Sequence, residues 1–307
     1  MKKEYLILGG VIVALSCYLV FHSEEKTNYA LPTFSKVAVE SITALDIEKN
    51  KVVVALEKKG EGWTVSDNHY PVDGDTLKEL LDVIEDFQVT ALVSQSRDLK
   101  RYDLDPENAV KVTAKKGSQT LRTFAVGKVA PTYKHTFVKL DGKNEVFHAP
   151  GNFRRSFDKD VEAFRSKKVF SLDRKTLTSL VVEKGDIKRE LVREKEEGQE
   201  GPAAWKAGDG KAVDPDSVDA LVSALADLEC SSYAGEATAK GGDKALFSLV
   251  ADDGKKETLS LYDKEENEDY PGVSSGSSDS FFLASYQGGE LVSKIDAVLG
   301  IKPVGEE

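Results

Sequence analysis

The chain has 307 residues, 40% of them hydrophobic and 31% charged, with a net charge of −11. That length suits about two domains of roughly 150 residues each. The acidic balance argues against nucleic acid, which needs concentrated Lys and Arg to displace counterions, and against a soluble face docking on anionic lipid.

The first element is an apolar run, Tyr5 to Phe21, with no charge over 17 positions. As a helix it spans ~25 Å, the short end for a bilayer core. Lys2 and Lys3 precede it and Glu24 and Glu25 follow, so the N-terminus is expected in the cytoplasm and the rest of the chain in the periplasm. Ala14-Leu15-Ser16-Cys17 is a loose lipobox, but the apolar run continues past Cys17, which favours a retained inner-membrane anchor over a lipidated or cleaved leader. The other cysteine, Cys230, lies far away, and no intramolecular disulfide is expected.

Residues 23–41 are polar, contain Pro32 and read as a tether. Ile42 to Ile47 alternates apolar and polar like a half-buried strand, and Lys51 to Leu56 is β-branched. Gly60-Glu61-Gly62 closes a hairpin before Trp63. Asp73 is placed to cap a helix whose Leu77, Leu80, Leu81, Ile84 and Phe87 form one apolar stripe. Val89 to Val93 reads as a strand. Tyr102-Asp103-Leu104-Asp105-Pro106 reads as a turn, since proline biases the residue before it away from helix. Four short strands follow: Val110–Ala114, Leu121–Val126, His135–Leu140 and Glu145–His148. Residues 150–170 look helical or irregular.

The plan then repeats. Trp205 follows Trp63 by 142 residues, and Asp214 follows Asp73 by 141. Leu177–Val182 and Ile187–Val192 are opening strands, and Glu194 to Gly201 is a polar insertion before Trp205. Asp214-Pro215 starts a helix with proline where a missing N–H costs nothing, and Val218, Leu221, Val222, Leu225 and Leu228 repeat the stripe. Ala245–Val250, Thr258–Tyr262 and Ser280–Ala284 are later strands, and Leu291, Ile295 and Val298 mark a terminal helix. Asp263 to Asp279, rich in acids, Ser and Gly, reads as a long mobile hairpin loop.

The expected fold class is therefore α+β: two tandem, mainly antiparallel-sheet units, each with a packed amphipathic helix, behind one N-terminal transmembrane helix. The expected limits are 1–22 for the anchor, 23–41 for the tether, 42–170 for the first unit and 171–303 for the second.

Chemistry is sparse. Asp73/Asp75 and Asp214/Asp216 are explained by capping. The four histidines, His22, His69, His135 and His148, have no zinc-site spacing, although His135 and His148 can face each other across the Asp141-Gly142 turn. No nucleophile elbow, phosphate loop or calcium loop occurs. No catalytic residue, metal site or cofactor is expected. Arg154, Arg155, Arg165, Lys167 and Lys168 form the one basic cluster behind the anchor, and are the candidate contacts for an acidic partner.

Trp63, Tyr70-Pro71-Val72-Asp73, the Leu77–Phe87 helix, Tyr102-Asp103-Leu104-Asp105-Pro106 and Ala125-Val126-Gly127 together resemble a bacterial family known as domain of unknown function four-three-four-zero. The resemblance covers the first unit well and the second loosely. Its members carry an N-terminal span and are commonly encoded beside gliding-motility-type ABC transporter parts. It implies a non-catalytic accessory or scaffold subunit whose partners are an ABC-type permease and a large auxiliary membrane subunit. A periplasmic module holding a peptide, glycan or lipid between the two units is the alternative. The family usually has glycine where Asp103 stands, which asks Asp103 to adopt a left-handed backbone.

Overall fold

The computed structural model describes residues 3–22, 29–66, 68–194, 204–210, 212–234, 244–265 and 268–301. The insertion at 195–201 and residues 23–28 of the tether lie outside the described residues. Two compact units, Met1–Arg165 and Ser166–Glu307, divide the chain.

A helix, α1 (Lys3–His22), opens the chain. Its described side chains, Lys3 and Leu8 to Tyr18, are all exposed. Among the described residues no helix is long and apolar enough to cross a membrane.

The first unit is one sheet and its covering. In chain order it contains β1 (Ala44–Lys49), β2 (Val52–Lys59), β3 (Gly62–Val65), β4 (Tyr70–Pro71), α2 (Gly74–Glu85), β5 (Ala91–Ser94), β6 (Val110–Lys116), β7 (Gln119–Val129), β8 (His135–Leu140), β9 (Val146–Pro150), α3 (Arg154–Phe157) and α4 (Val161–Phe164). The nine strands form one antiparallel sheet in the order β4-β3-β2-β1-β6-β7-β8-β9-β5. Period-two alternation sends Leu45, Ile47, Leu56, Val112, Phe124 and Val138 to one face. There they meet Leu80, Leu81 and Ile84, the buried stripe of α2. Asp73 caps that helix, accepting the Thr76 N–H at 2.8 Å.

The expected tether is docked from Leu31 onward. Leu31, Phe34 and Val37 recur every third residue and pack on the same core, and Phe34 sits edge-on to Phe87 at 5.2 Å. A short polar segment with three spaced apolar residues reads as linker by composition, yet each of them finds a place on the core. Arg122, buried on β7, donates to the carbonyls of Ser35 and Ile84, tying this segment to the last turn of α2. Burial lowers the Arg122 pKa, and the rings of Phe34 and Phe87 flank the guanidinium at 5.7 Å.

The second unit contains β10 (Lys168–Ser171), β11 (Ser179–Lys184), β12 (Ile187–Glu194), β13 (Ala204–Ala207), α5 (Pro215–Leu225), β14 (Asp227–Glu229), β15 (Ser232–Tyr233), β16 (Phe247–Asp252), β17 (Lys256–Leu261), β18 (Tyr270–Ser274), β19 (Phe281–Leu283) and α6 (Ser285–Leu299). Its main sheet, also antiparallel, runs β13-β12-β11-β16-β17-β18-β19-β15. Matching β1 with β11, and onward, gives the first unit's order without β4. The duplication read from the two Trp positions is thus a duplication of topology. Trp63 and Trp205 occupy equivalent strands and are half-buried against their cores. Asp214 caps α5 through the Ser217 N–H at 3.3 Å, as Asp73 caps α2. Cys17 is exposed, and Cys230 is buried in the second core.

Two boundaries differ from expectation. Lys168–Ser171, read as the end of the first unit, pairs with β14 inside the second. The segment Asp263–Asp279 is not one loop, because it contains β18. Its Pro and Gly disguise a strand. Pro271 uses only its carbonyl, which accepts the Tyr262 N–H at 2.8 Å, and at Gly272 a side chain would stand 2.6 Å from the Phe281 ring.

If the two caps are equivalent, Asp73→Ala and Asp214→Ala each lower stability by about 1 kcal/mol. Urea unfolding of both variants checks this.

Candidate functional site

The second face of the first sheet is only partly covered. Its cover is the segment between β5 and β6. Lys100–Tyr102 forms one tight helical turn, and Asp103 follows with φ 53° and ψ 38°, the left-handed conformation the family comparison required of it. The Asp103 N–H donates to the Lys100 carbonyl at 3.2 Å and the Leu104 N–H to the Leu99 carbonyl at 3.1 Å. That pair of bonds is a Schellman closure, whose left-handed position glycine usually holds. Asp105 accepts from the backbone of Asn108 and Ala109, and its carboxylate takes the Asn108 amide at 2.9 Å.

This turn seats Leu104 among Ala130, Phe137 and Val146, with Leu99, Tyr102 and Val93 beside them. The seat needs a glycine. A Cβ on Gly127 would lie 2.2 Å from the Tyr102 carbonyl oxygen and 2.8 Å from Leu104 Cγ. Two pieces of the family pattern, Tyr102–Pro106 and Ala125–Gly127, are therefore in direct contact, and the spacing between them is set by the absence of a side chain.

Between this segment and the open half of the sheet lies a cleft of about 570 Å³, within the ordinary size of a ligand pocket. Leu99, Leu104, Pro106 and Ala109 form its apolar wall. Its floor is a cross-strand row: Glu48 opposite Lys111, Lys111 opposite Ala125, Ala125 opposite Lys139. Glu107, Asp141 and Lys51 complete the charged rim. Among the described residues, none of these six charged side chains is hydrogen-bonded or ion-paired, whereas the neighbouring Lys115 is joined to Asp46. The cleft pairs an apolar wall with charges of both signs left available, and no histidine or cysteine lines it.

Backbone strain sits at its mouth. β1 and β2 are joined by Asn50-Lys51, a two-residue hairpin with φ 48° and 65°. Such turns favour Asn-Gly, because both central residues are left-handed. Lysine there costs about 1–2 kcal/mol over glycine in backbone sterics.

The residues of the basic cluster make contacts within their own units. Arg154 bolts α3 to the sheet and to the Asp-Pro turn, donating to the carbonyls of Asn108 at 2.8 Å and Val126 at 3.3 Å and pairing with Asp158 at 3.2 Å. Arg165 is 4% exposed, lies 3.7 Å from the centre of the Tyr70 ring and pairs with Glu162 at 3.9 Å. Lys167 donates to the Ser231 carbonyl at 2.9 Å. Lys168 pairs with Asp227 at 2.5 Å, and that hydrogen bond holds the Asp227 carboxyl below its ordinary value. Arg155 alone of the five is exposed without a described partner. None of the five lines the cleft.

Asp75 and Asp216 stand in the first turns of α2 and α5, beside the capping Asp73 and Asp214. Among the described residues no group of three or more His, Cys, Asp or Glu could hold a metal ion. His135 and His148 do meet, their rings 5.1 Å apart and 22° from parallel. Sequence reasoning missed the cleft because its wall and floor come from segments distant in the chain. The available signal was the Asn50-Lys51 pair between two strand patterns, a hairpin turn with the wrong second residue.

Fold and site together define a tandem antiparallel α+β protein with a charged-rimmed cleft in its first unit. The chain belongs to the family "Domain of unknown function (DUF4340)", whose model matches residues 63–249, from β3 of the first unit to β16 of the second. No curated protein and no solved structure matches the chain.

Gly127→Ala is expected to unseat the Leu99–Ala109 segment and to cost about 1–3 kcal/mol. Urea unfolding reports the loss, and faster hydrogen exchange at the Leu104 amide locates it. Lys51→Gly and Asp103→Gly relieve left-handed strain and are expected to stabilise, by about 1 kcal/mol for Lys51 and less for Asp103, since Asp tolerates this conformation better. Thermal melts of the single variants check the order.

Proposed function

We propose that this chain is a non-catalytic, membrane-anchored accessory or scaffold subunit of an ABC-type transport or envelope complex. Its N-terminus is cytoplasmic, its helix α1 lies in the inner membrane, and both units are periplasmic. The observation that carries the reading is the exposure of α1: Leu8, Val11, Ile12, Val13 and Leu15 are each 49–62% exposed. A helix this apolar on all sides has no stable place in water, while a bilayer satisfies it at no cost to the backbone. The uncharged run from Tyr5 to Phe21, with lysines before it and glutamates after it, sets the orientation. The partners, an ABC-type permease and a large auxiliary membrane subunit, are implied by the family resemblance.

The cleft of the first unit is the docking place in this reading. Its unpaired charges suit a partner segment carrying both signs. The cleft also favours a second reading, a module that holds a free peptide, glycan or lipid.

Fractionation tests the anchor. The full-length chain is expected in the membrane pellet after a carbonate wash, and deletion of residues 3–22 is expected to release it. Recovery of the intact chain in the supernatant sinks the anchor. Purification in mild detergent tests the partners: if neither a permease nor an auxiliary subunit accompanies the tagged chain, the accessory role fails.

A further inference from the structure

A row of rings runs along the second face of the first sheet, on the far side of the Leu99–Ala109 segment from the cleft. Tyr102 meets Phe137 at 4.9 Å, Phe137 meets His148 at 5.0 Å, and His148 meets His135 at 5.1 Å. The order follows from register. Phe137 lies directly opposite His148 across β8 and β9, and His135, two residues earlier on β8, lies diagonal to it. On its other side His148 stands opposite Ala91 of β5, which is too small to cover it. Phe137 is buried, whereas both imidazoles are half-buried. One ring packs beneath His148, and its edge reaches solvent beside His135.

We propose that His135 and His148 form a two-imidazole chelating site for a single divalent transition-metal ion, of the Zn²⁺, Ni²⁺ or Cu²⁺ type. Imidazole suits these ions, and their lone-pair donor is the neutral ring. Among the described residues no carboxylate is hydrogen-bonded or ion-paired to either ring, so neither nitrogen pair is already claimed. Metal–nitrogen bonds of about 2.1 Å place two adjacent ligand nitrogens roughly 3 Å apart. The rings are nearly parallel at 5.1 Å, so chelation requires both to turn about their side-chain bonds while the ladder holds the strands in place. Water fills the remaining positions, since no third protein ligand is at hand among the described residues. The site is independent of the anchor and of the cleft.

Calorimetric titration of the full-length chain in mild detergent with ZnCl₂ tests the site. One saturable Zn²⁺ per chain is expected at neutral pH, lost in His135→Ala and in His148→Ala and kept in His69→Ala. His148→Gln serves if the alanine variant does not fold, because it retains the volume beside Phe137. In proton–carbon spectra, Zn²⁺ is expected to shift the Cε1–H signals of His135 and His148 together. Absence of saturable binding, equal binding by the wild type and both histidine variants, or a shift confined to one imidazole would each overturn the proposal.

Discussion

The second face of the first sheet is organised by a missing side chain. At Gly127 the Tyr102 carbonyl and the Leu104 side chain come closer to the β7 backbone than any Cβ permits. That approach presses the Leu99–Ala109 segment onto Ala130, Phe137 and Val146. It buries apolar surface that nothing else covers, since α2 serves the other face. It also forces the segment to close tightly, which is why Asp103 is left-handed and why Leu99 and Leu104 meet. The cleft is what remains: the segment reaches only part of the way across the face, and its edge becomes a wall. Arg154 reinforces this from below, tying the Asp-Pro turn to α3 through the Asn108 carbonyl.

The two units solve the same covering problem differently. Both lay a capped amphipathic helix over one face of an antiparallel sheet of the same strand order. The second adds α6, which packs against α5 and buries Leu291, Ile295, Val298 and Leu299 in the same core. Where the first unit has Tyr102–Pro106, the second has no Asp-Pro turn. It uses its glycines elsewhere: Gly288 of α6 admits the Tyr270 ring, and Gly276 admits the Val169 carbonyl. Close approaches at glycine thus set the tertiary fit in both units, and in the first they hold a segment over the second face.

Legibility in the sequence followed the range of the physics. Period-two and period-3.6 patterns are local, so strands such as His135–Leu140 and the stripes of α2 and α5 were readable residue by residue. Capping is local too, and Asp73 and Asp214 do what their positions imply. The left-handed Asp103 was readable because one family position names one backbone conformation. What escaped depends on long-range contact. Leu31, Phe34 and Val37 are too sparse to signal burial until Arg122 and Phe87 are brought to them. Tyr270–Ser274 reads as loop because Pro271 and Gly272 argue against a strand, and only Phe281 explains the glycine. The contacts of the basic cluster, five cations within fifteen positions, were also out of reach, since the ring of Tyr70 and the carbonyls of Asn108, Val126 and Ser231 come from far along the chain.

The repeat also separates what the fold requires from what it merely tolerates. β1–β2 and β11–β12 are equivalent hairpins, each turning through two residues: Lys49 opposes Val52, and Lys184 opposes Ile187. In the second unit the turn is Gly185-Asp186, and the positive φ falls on the glycine alone. The architecture is therefore built at this corner without strain. In the first unit the same corner carries Asn50 and Lys51, both left-handed, and the lysine stands at the mouth of the cleft. The topology does not demand this strain, and it places an unpaired cation at the mouth of the cleft. The exposed Val53, opposite Glu48 in the same cross-strand row, extends the cleft's apolar surface beyond that corner.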